Sequence, residues 1–223
     1  MMVPESPHFA TTPALPNAEA LVCVVDDDES VRRGLKRLLR SARLAVETFA
    51  SAADYLEREE YPGPVCLVLD PQDGFHLQTT LEGHGEQIVF LTGSGDVPMC
   101  ARAMKAGAVD FLLKPVADET LLSSVSRALD VAREVRRANA ERTLARAALG
   151  TLTPREFQVM EQVLAGLLNK QIASRLGIAE KTVKIHRGRL MRKTRCRSVP
   201  DLMRLSLKAE AFNLTGNEQL VSP

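Results

Sequence analysis

Short apolar runs, each closing on a polar residue, set the rhythm of the first half of the chain. Leu21-Val22-Cys23-Val24-Val25 leads into Asp26 and Asp27, and Val65-Cys66-Leu67-Val68-Leu69 into Asp70. Gln87-Ile88-Val89-Phe90-Leu91 leads into Thr92, and Val109-Asp110-Phe111-Leu112-Leu113 into Lys114. Runs of this kind read as strands buried on both faces. Asp70, Thr92 and Lys114 are spaced by 22 positions; Asp26 lies 44 before Asp70, with a further run, Leu44 to Phe49, midway. That period fits one strand plus one crossover helix. Right-handed crossovers make the strands parallel, so all the strand ends fall on one edge of the sheet. Three carboxylates, a hydroxyl and a lysine therefore converge there.

Helix signals fill the gaps between the runs. Ser51-x-x-Asp54 resembles a capping box, Asp96 followed by Pro98 starts another helix, and Gly107 ends it. Asp118 can cap a long helix from Glu119. The expected fold is a doubly wound α/β domain with five parallel strands in the order 2-1-3-4-5. From Glu119 to about Ala148 there is no Gly or Pro, which favours one helix. Leu122, Val125, Leu129, Ala132 and Val135 form its apolar seam. Beyond Val135 the polar Arg136-Arg137-Ala138-Asn139 predicts a solvated connector that frays before Gly150, or a dimeric coiled coil.

After Gly150 the periodicity becomes wholly helical. Thr153-Pro154-Arg155-Glu156 combines an N-cap, a first-turn proline and a capping-box glutamate. Phe157, Met160, Val163 and Leu164 follow at helical spacing, and Gly166 stops that helix. Asn169 can cap a short helix through Leu176, Gly177-Ile178 turns the chain, and a basic helix runs from Glu180 to about Lys193. Ser198-x-x-Asp201 opens a fourth. Helix, glycine turn, basic helix is the helix-turn-helix arrangement, whose second helix enters the DNA major groove. Val183 and Leu190 mark its buried side, and Lys181, Lys184, Gly188 and Arg192 the opposite one, flanked by Arg187 and Arg189. Gly188 in mid-helix costs about 1 kcal/mol, which close approach to DNA would explain.

Charge separates the two halves. The net charge of +1 over 223 residues conceals 13 Lys+Arg against 6 Asp+Glu in residues 151–223, and 16 against 22 in residues 1–150. A basic second domain implies a polyanionic partner. Across residues 151–199 the balance is 11 against 3. The four cysteines, Cys23, Cys66, Cys100 and Cys196, lack metal-ligand spacing and read as free thiols of a reducing cytoplasm. No apolar stretch is long enough for a membrane span. The proline-bearing first residues, with Pro4, Pro7, Pro13 and Pro16, read as a flexible tail without a signal peptide.

The chemistry of the acidic edge points to phosphoryl transfer. Adjacent carboxylates can bind a hard divalent cation such as Mg²⁺. A third carboxylate beside it can attack a phosphoryl group, and a lysine and a hydroxyl can hold the remaining oxygens.

Val24-Val25-Asp26-Asp27-Asp28, Leu67-Val68-Leu69-Asp70, Leu91-Thr92-Gly93, and Ala106-Gly107-Ala108-Val109-Asp110-Phe111 running into Lys114-Pro115 resemble the receiver domain of two-component response regulators. The resemblance implies a flavodoxin-like fold in which Asp70 is phosphorylated by a sensor histidine kinase. It implies that Asp26, Asp27 and Asp70 bind Mg²⁺, and that Lys114 pairs with the acceptor. Thr92 and Phe111 would be switch residues, and the Lys114-Pro115 bond would be cis. One stretch departs from the pattern: Asp70-Pro71-Gln72-Asp73-Gly74 is about four residues shorter than the usual loop. The metal's backbone carbonyl ligand, two positions after the acceptor, would have to come from Gln72. A competing reading is a degenerate receiver that works without phosphorylation, with Asp73 partly mimicking the added charge.

Leu152-Thr153-Pro154-Arg155-Glu156, Gly166, Asn169-Lys170-Gln171-Ile172-Ala173 and Lys181-Thr182-Val183-Lys184-Ile185-His186-Arg187 resemble the LuxR-type DNA-binding domain, an all-α four-helix unit. With the receiver ahead of it, the chain resembles a FixJ/NarL-family response regulator. The DNA-contact set is then Asn169, Lys170, Lys181, Thr182, Lys184, Ile185, Arg187, Gly188 and Arg189. Because Gly188 has no side chain to read a base, readout would pass to Arg187 or Arg189. The expected organisation is a tail at 1–19, receiver at 20–130, helical linker at 131–150, DNA-binding domain at 151–212 and tail at 213–223. Expected partners are double-stranded DNA, the kinase, a second copy on activation, and RNA polymerase. A haloacid-dehalogenase-type phosphatase is the rival from another class, but it places its nucleophile on the first strand and its acidic pair late, the reverse of this order.

Overall fold

The computed structural model describes residues 19–81 and 83–210. The expected tails, Glu19 apart, lie outside them. The chain divides into two compact units between Arg137 and Ala138.

The first unit alternates strands and helices: β1 (Leu21–Val25), α1 (Glu29–Ser41), β2 (Ala45–Phe49), α2 (Ala52–Leu56), β3 (Val65–Leu69), α3 (Pro71–Thr80), β4 (Gln87–Thr92), α4 (Val97–Lys105), β5 (Asp110–Leu113) and the start of α5 (Asp118–Gly150). The five strands are parallel in the order β2-β1-β3-β4-β5. Alternate side chains feed two cores. Cys23, Leu67, Leu69 and Phe90 pack on one face with Tyr55 and Leu77. Val22, Val24, Val68 and Leu91 pack on the other with Leu39, Leu121 and Val125. Burial on both faces is why these strands read as unbroken apolar runs.

Local signals set most helix ends. The Ser51 hydroxyl accepts from the Asp54 amide at 3.2 Å, and an Asp96 carboxylate oxygen from the Met99 amide at 2.7 Å. Gly107, at φ +89°, ends the turn after α4. Asp118 is not a cap: it is the first helical residue, and the Ala117 carbonyl accepts from the Leu121 amide at 3.2 Å.

The segment after Asp70 differs most from expectation. There is no loop, because α3 begins at Pro71 and the Asp70 carbonyl accepts from the Gly74 amide at 3.0 Å. Asp70 thus occupies the N-cap position, with proline at the first helical residue. So short a connection draws the helix onto the sheet. A Cβ on Gly74 would lie 2.1 Å from Leu69 Cδ1 and 2.5 Å from Phe90 Cε1.

The second unit holds the last turns of α5 with α6 (Pro154–Leu164), α7 (Asn169–Leu176), α8 (Glu180–Lys193) and α9 (Val199–Glu210). Val159, Met160, Val163, Ile172, Val183, Leu190 and Leu202 form its core. The Thr153–Glu156 capping box is formed as expected, and Gly177 closes α7 at φ +65°. The helix does not fray before Gly150. Ala145 is buried, the Arg146 guanidinium donates to the Ala209 carbonyl at 3.2 Å, and Glu141 pairs with Lys208 at 2.8 Å. Ala138, Arg142, Ala145 and Leu149 form a second seam at helical spacing, which tertiary contacts stabilise despite the polar residues between.

Candidate functional site

Strand pairing assembles the acidic edge. Val25 is paired with Leu69, and Thr92 with Leu113. Asp26 and Asp70 therefore leave adjacent strands at one level, and Thr92 and Lys114 meet one strand further along. Asp26 is 7% exposed, and each of its carboxylate oxygens is engaged. Oδ1 accepts from the Asp28 amide at 2.9 Å, and Oδ2 accepts from Lys114 Nζ at 2.7 Å. The Lys114-Pro115 bond is cis, and the Lys114 amide donates to the Thr92 carbonyl at 2.7 Å.

Arg32, which sequence reasoning did not single out, clamps the same corner. Its NH1 donates to the carbonyls of Asp26 at 2.7 Å and Asp27 at 2.8 Å. Its place one turn into α1 carried no distinguishing signal. Asp27 is exposed, while Asp28 caps α1 by accepting from the Ser30 amide at 2.7 Å. Buried Thr92 donates to the Ser94 carbonyl at 2.8 Å and accepts from the Ser94 amide at 3.3 Å, which keeps its hydroxyl within the turn. Half-buried Phe111 packs on the first core with its ring centroid 6.1 Å from that of Phe90, and the Gly95 backbone approaches its ring closely. A second unforeseen group is Asp110, whose carboxylate takes the Ser124 hydroxyl at 2.6 Å and the Arg127 guanidinium.

Receivers typically take Mg²⁺ for phosphorylation. Asp26 and Asp70 suit a hard cation in chemistry and in placement. Gln72 lies in the first turn of α3, where a backbone carbonyl points along the helix toward the next turn. Among the described residues no three His, Cys, Asp or Glu side chains are gathered as a metal site. The donor set fits the ion in kind.

The second unit presents the basic helix. Val183 and Leu190 are buried, and Lys181, Lys184, Ile185, Gly188, Arg189 and Arg192 are exposed along the opposite side of α8. Ile185 is 46% exposed, an apolar side chain with no place in the core. Lys184 pairs with Glu180 at 3.2 Å. Asn169 is the first residue of α7 rather than its cap. The Gln171 side chain reaches back to accept from the Leu168 amide at 2.8 Å, and Asn169 Oδ1 accepts from Arg187 NH1 at 3.2 Å. Thr182 is half-buried and Lys170 exposed. A Cβ on Gly188 would meet nothing within 4 Å, so no internal packing demands glycine there.

Buried Glu156 fixes the end of α8 to the start of α6. It accepts from Lys193 Nζ at 2.6 Å and from the Thr153 amide at 2.9 Å. The hydrogen bond from Lys193, then that from Thr153, holds its carboxyl down at about 2, against an ordinary 4.5.

The fold defines a class: a five-stranded parallel α/β module joined to a helix-turn-helix module. Residues 22–126 match the family described as "Response regulator receiver domain", and residues 150–206 match "Bacterial regulatory proteins, luxR family". The chain is 46% identical to nodulation protein W of Bradyrhizobium diazoefficiens over 90% of both chains. It is 41% identical to the response regulator protein TodT of Pseudomonas putida, over 84% of this chain and 85% of that one. A solved structure of the response regulator StyR superposes with a TM-score of 0.76 at 45% identity, over 86% of this chain and 100% of that one. The chain belongs to the FixJ/NarL family of two-component response regulators, DNA-binding transcription regulators with a receiver and a LuxR-type domain. The family is one of transcriptional regulators rather than enzymes. No helix among the described residues is long and apolar enough to cross a membrane.

Proposed function

We propose that this regulator takes a phosphoryl group on Asp70 from a sensor histidine kinase in the cytoplasm, and that the modified receiver dimerises and tightens promoter binding. One observation carries the reading: Asp26, Asp70, Thr92 and Lys114 lie together where β1, β3, β4 and β5 end. A carboxylate oxygen of Asp70 attacks phosphorus, and the N–P bond of the kinase phosphohistidine breaks. The electron pair returns to the imidazole nitrogen and an acyl phosphate forms. The Lys114 ammonium offsets charge on the phosphoryl oxygens. To reach them, the Thr92 hydroxyl must exchange its bond to the Ser94 carbonyl for one to the phosphoryl group. Phe111 follows into the space that this opens.

At the other end, Lys181, Lys184, Arg187 and Arg189 supply cationic contacts, with Ile185 and Gly188 nearest the base edges and Asn169, Lys170 and Thr182 near the phosphates. Two copies would present two α8 helices to half-sites about one DNA turn apart. RNA polymerase is the expected further partner at the promoter. Transfer of label from acetyl phosphate tests the acceptor: it should mark the wild type and spare Asp70→Asn, and equal labelling would remove Asp70 from the role.

The start of α3 at Pro71 favours a second reading, in which the receiver acts without phosphorylation. Operator affinity unaltered by acetyl phosphate would select it.

A further inference from the structure

We infer that α3 latches α4: Gln78 and Phe75 hold that helix in its resting place, and release of the latch raises operator affinity. The latch presupposes the switch read above and names what opposes it. α4 is lightly anchored, for of its nine residues only Ala103 is buried. Its exit is held instead by side chains from α3. The Gln78 amide, 8% exposed, donates to the carbonyls of Ala103 at 3.3 Å and Ala106 at 3.0 Å. Both acceptors belong to the helix end, where backbone carbonyls lack intrahelical partners. Beside them the Arg102 guanidinium sits over the Phe75 ring, 4.3 Å from its centroid.

The rigid side of the joint is α3. Phe75 packs on Phe90, their ring centroids 5.2 Å apart, and Gly74 already abuts Leu69 and Phe90. At the other end of α4, the Gly95 backbone rests on β5. A Cβ there would lie 2.9 Å from Phe111 Cε1 and 3.1 Å from Leu113 Cδ2. Thr92 cannot leave the Ser94 carbonyl, nor Phe111 turn inward, without shifting this turn and the helix that starts at Val97. A helix of nine residues is about 14 Å long and moves as one piece, so displacement at its entry reaches Ala103 and Ala106. The Gln78 hydrogen bonds and the Arg102–Phe75 contact must then stretch or break. Because they are stronger in the resting arrangement, they bias the equilibrium toward it. A receiver without them would populate the active arrangement before any phosphoryl group arrived.

Operator affinity of the full-length protein, with and without acetyl phosphate and with MgCl₂ present throughout, tests this on Gln78→Met and Arg102→Ala. Gln78→Met keeps a side chain of similar length and removes the donor. Without acetyl phosphate it should bind the operator about fivefold more tightly than the wild type, the shift that loss of one net hydrogen bond brings. The same gain should appear when the substitution is added to Asp70→Asn, which lacks the acceptor. Arg102→Ala, at an exposed side chain, should give about twofold. Damaged packing alone would lower affinity or leave it unchanged, so a gain marks the latch. Far-ultraviolet circular dichroism and melting establish that each variant folds, and if Gln78→Met does not, Arg102→Ala decides. Basal affinities at or below that of the wild type overturn the inference. The wild-type response to acetyl phosphate reports the switch separately. A response without a basal gain sinks the latch and leaves the switch, a basal gain without a response does the reverse, and the absence of both overturns both.

Discussion

Arg187 NH1 donates to Asn169 Oδ1 across 3.2 Å, so two residues read from the sequence as separate DNA contacts form one unit on the free protein. The bond ties the middle of α8 to the first residue of α7 and holds a long guanidinium in one orientation. Binding then loses less side-chain freedom, since Arg187 is already ordered.

The pair should behave as a unit in binding. Asn169→Ala and Arg187→Ala should each weaken operator binding, and the double variant should weaken it by less than the sum, with a coupling of about 1 kcal/mol. Fluorescence anisotropy on one labelled operator closes the cycle. Strict additivity would mean the two side chains act alone.

Gly188 separates stability from recognition. Gly188→Ala meets no neighbour and replaces a poor helix former, so unfolding free energy should rise by about 1 kcal/mol. Operator affinity should fall, because the added methyl lies on the surface proposed to face the bases. Chemical denaturation and binding measured on one preparation should move in opposite directions.

Gly74 behaves oppositely. The same substitution in α3 would gain about 1 kcal/mol of helix propensity but forces a methyl into Leu69 and Phe90. Overpacking costs about 1–3 kcal/mol, and contact this close belongs at the upper end. Gly74→Ala should lower the melting temperature, the sign opposite to Gly188→Ala.

Glu156 makes the DNA-binding unit acid-sensitive. Its folded carboxyl titrates near 2 and its unfolded one near 4.5. The stabilisation is therefore complete above about 4.5 and disappears as the pH falls toward 2. Lys193→Met should flatten that part of the stability–pH curve and, by taking the charged donor from a buried carboxylate, destabilise the domain by about 1–3 kcal/mol at neutral pH. Thermal melts between pH 2 and 7 give both effects.

The sheet was legible because each strand is apolar on both faces and its polar terminus repeats in register. The capping residues Ser51, Asp96 and Thr153 act locally, so a few adjacent letters sufficed. Asp70-Pro71-Gln72-Asp73 carried a helix-start signature as well, with aspartate at the cap and proline after it. The expectation of a metal-binding loop obscured that simpler reading. Lys114 on Asp26 and Arg32 over the β1 carbonyls were not legible, because both depend on side-chain reach across the folded edge. The last turns of α5 were misread for a related cause: polar Arg142 and small Ala138 and Ala145 make a weak apolar signal, although contacts with α9 give them a buried side. Asn169 lost its capping role to Gln171, which reaches the Leu168 amide and leaves the asparagine for Arg187.

The most direct test is operator affinity measured with and without acetyl phosphate, at saturating Mg²⁺, for the wild type and Asp70→Asn. Coupled sites commonly shift each other's affinity by about 5–150-fold. The wild type should tighten within that range on treatment, and Asp70→Asn should not respond. Equal affinity in all four measurements would contradict control of DNA binding through Asp70.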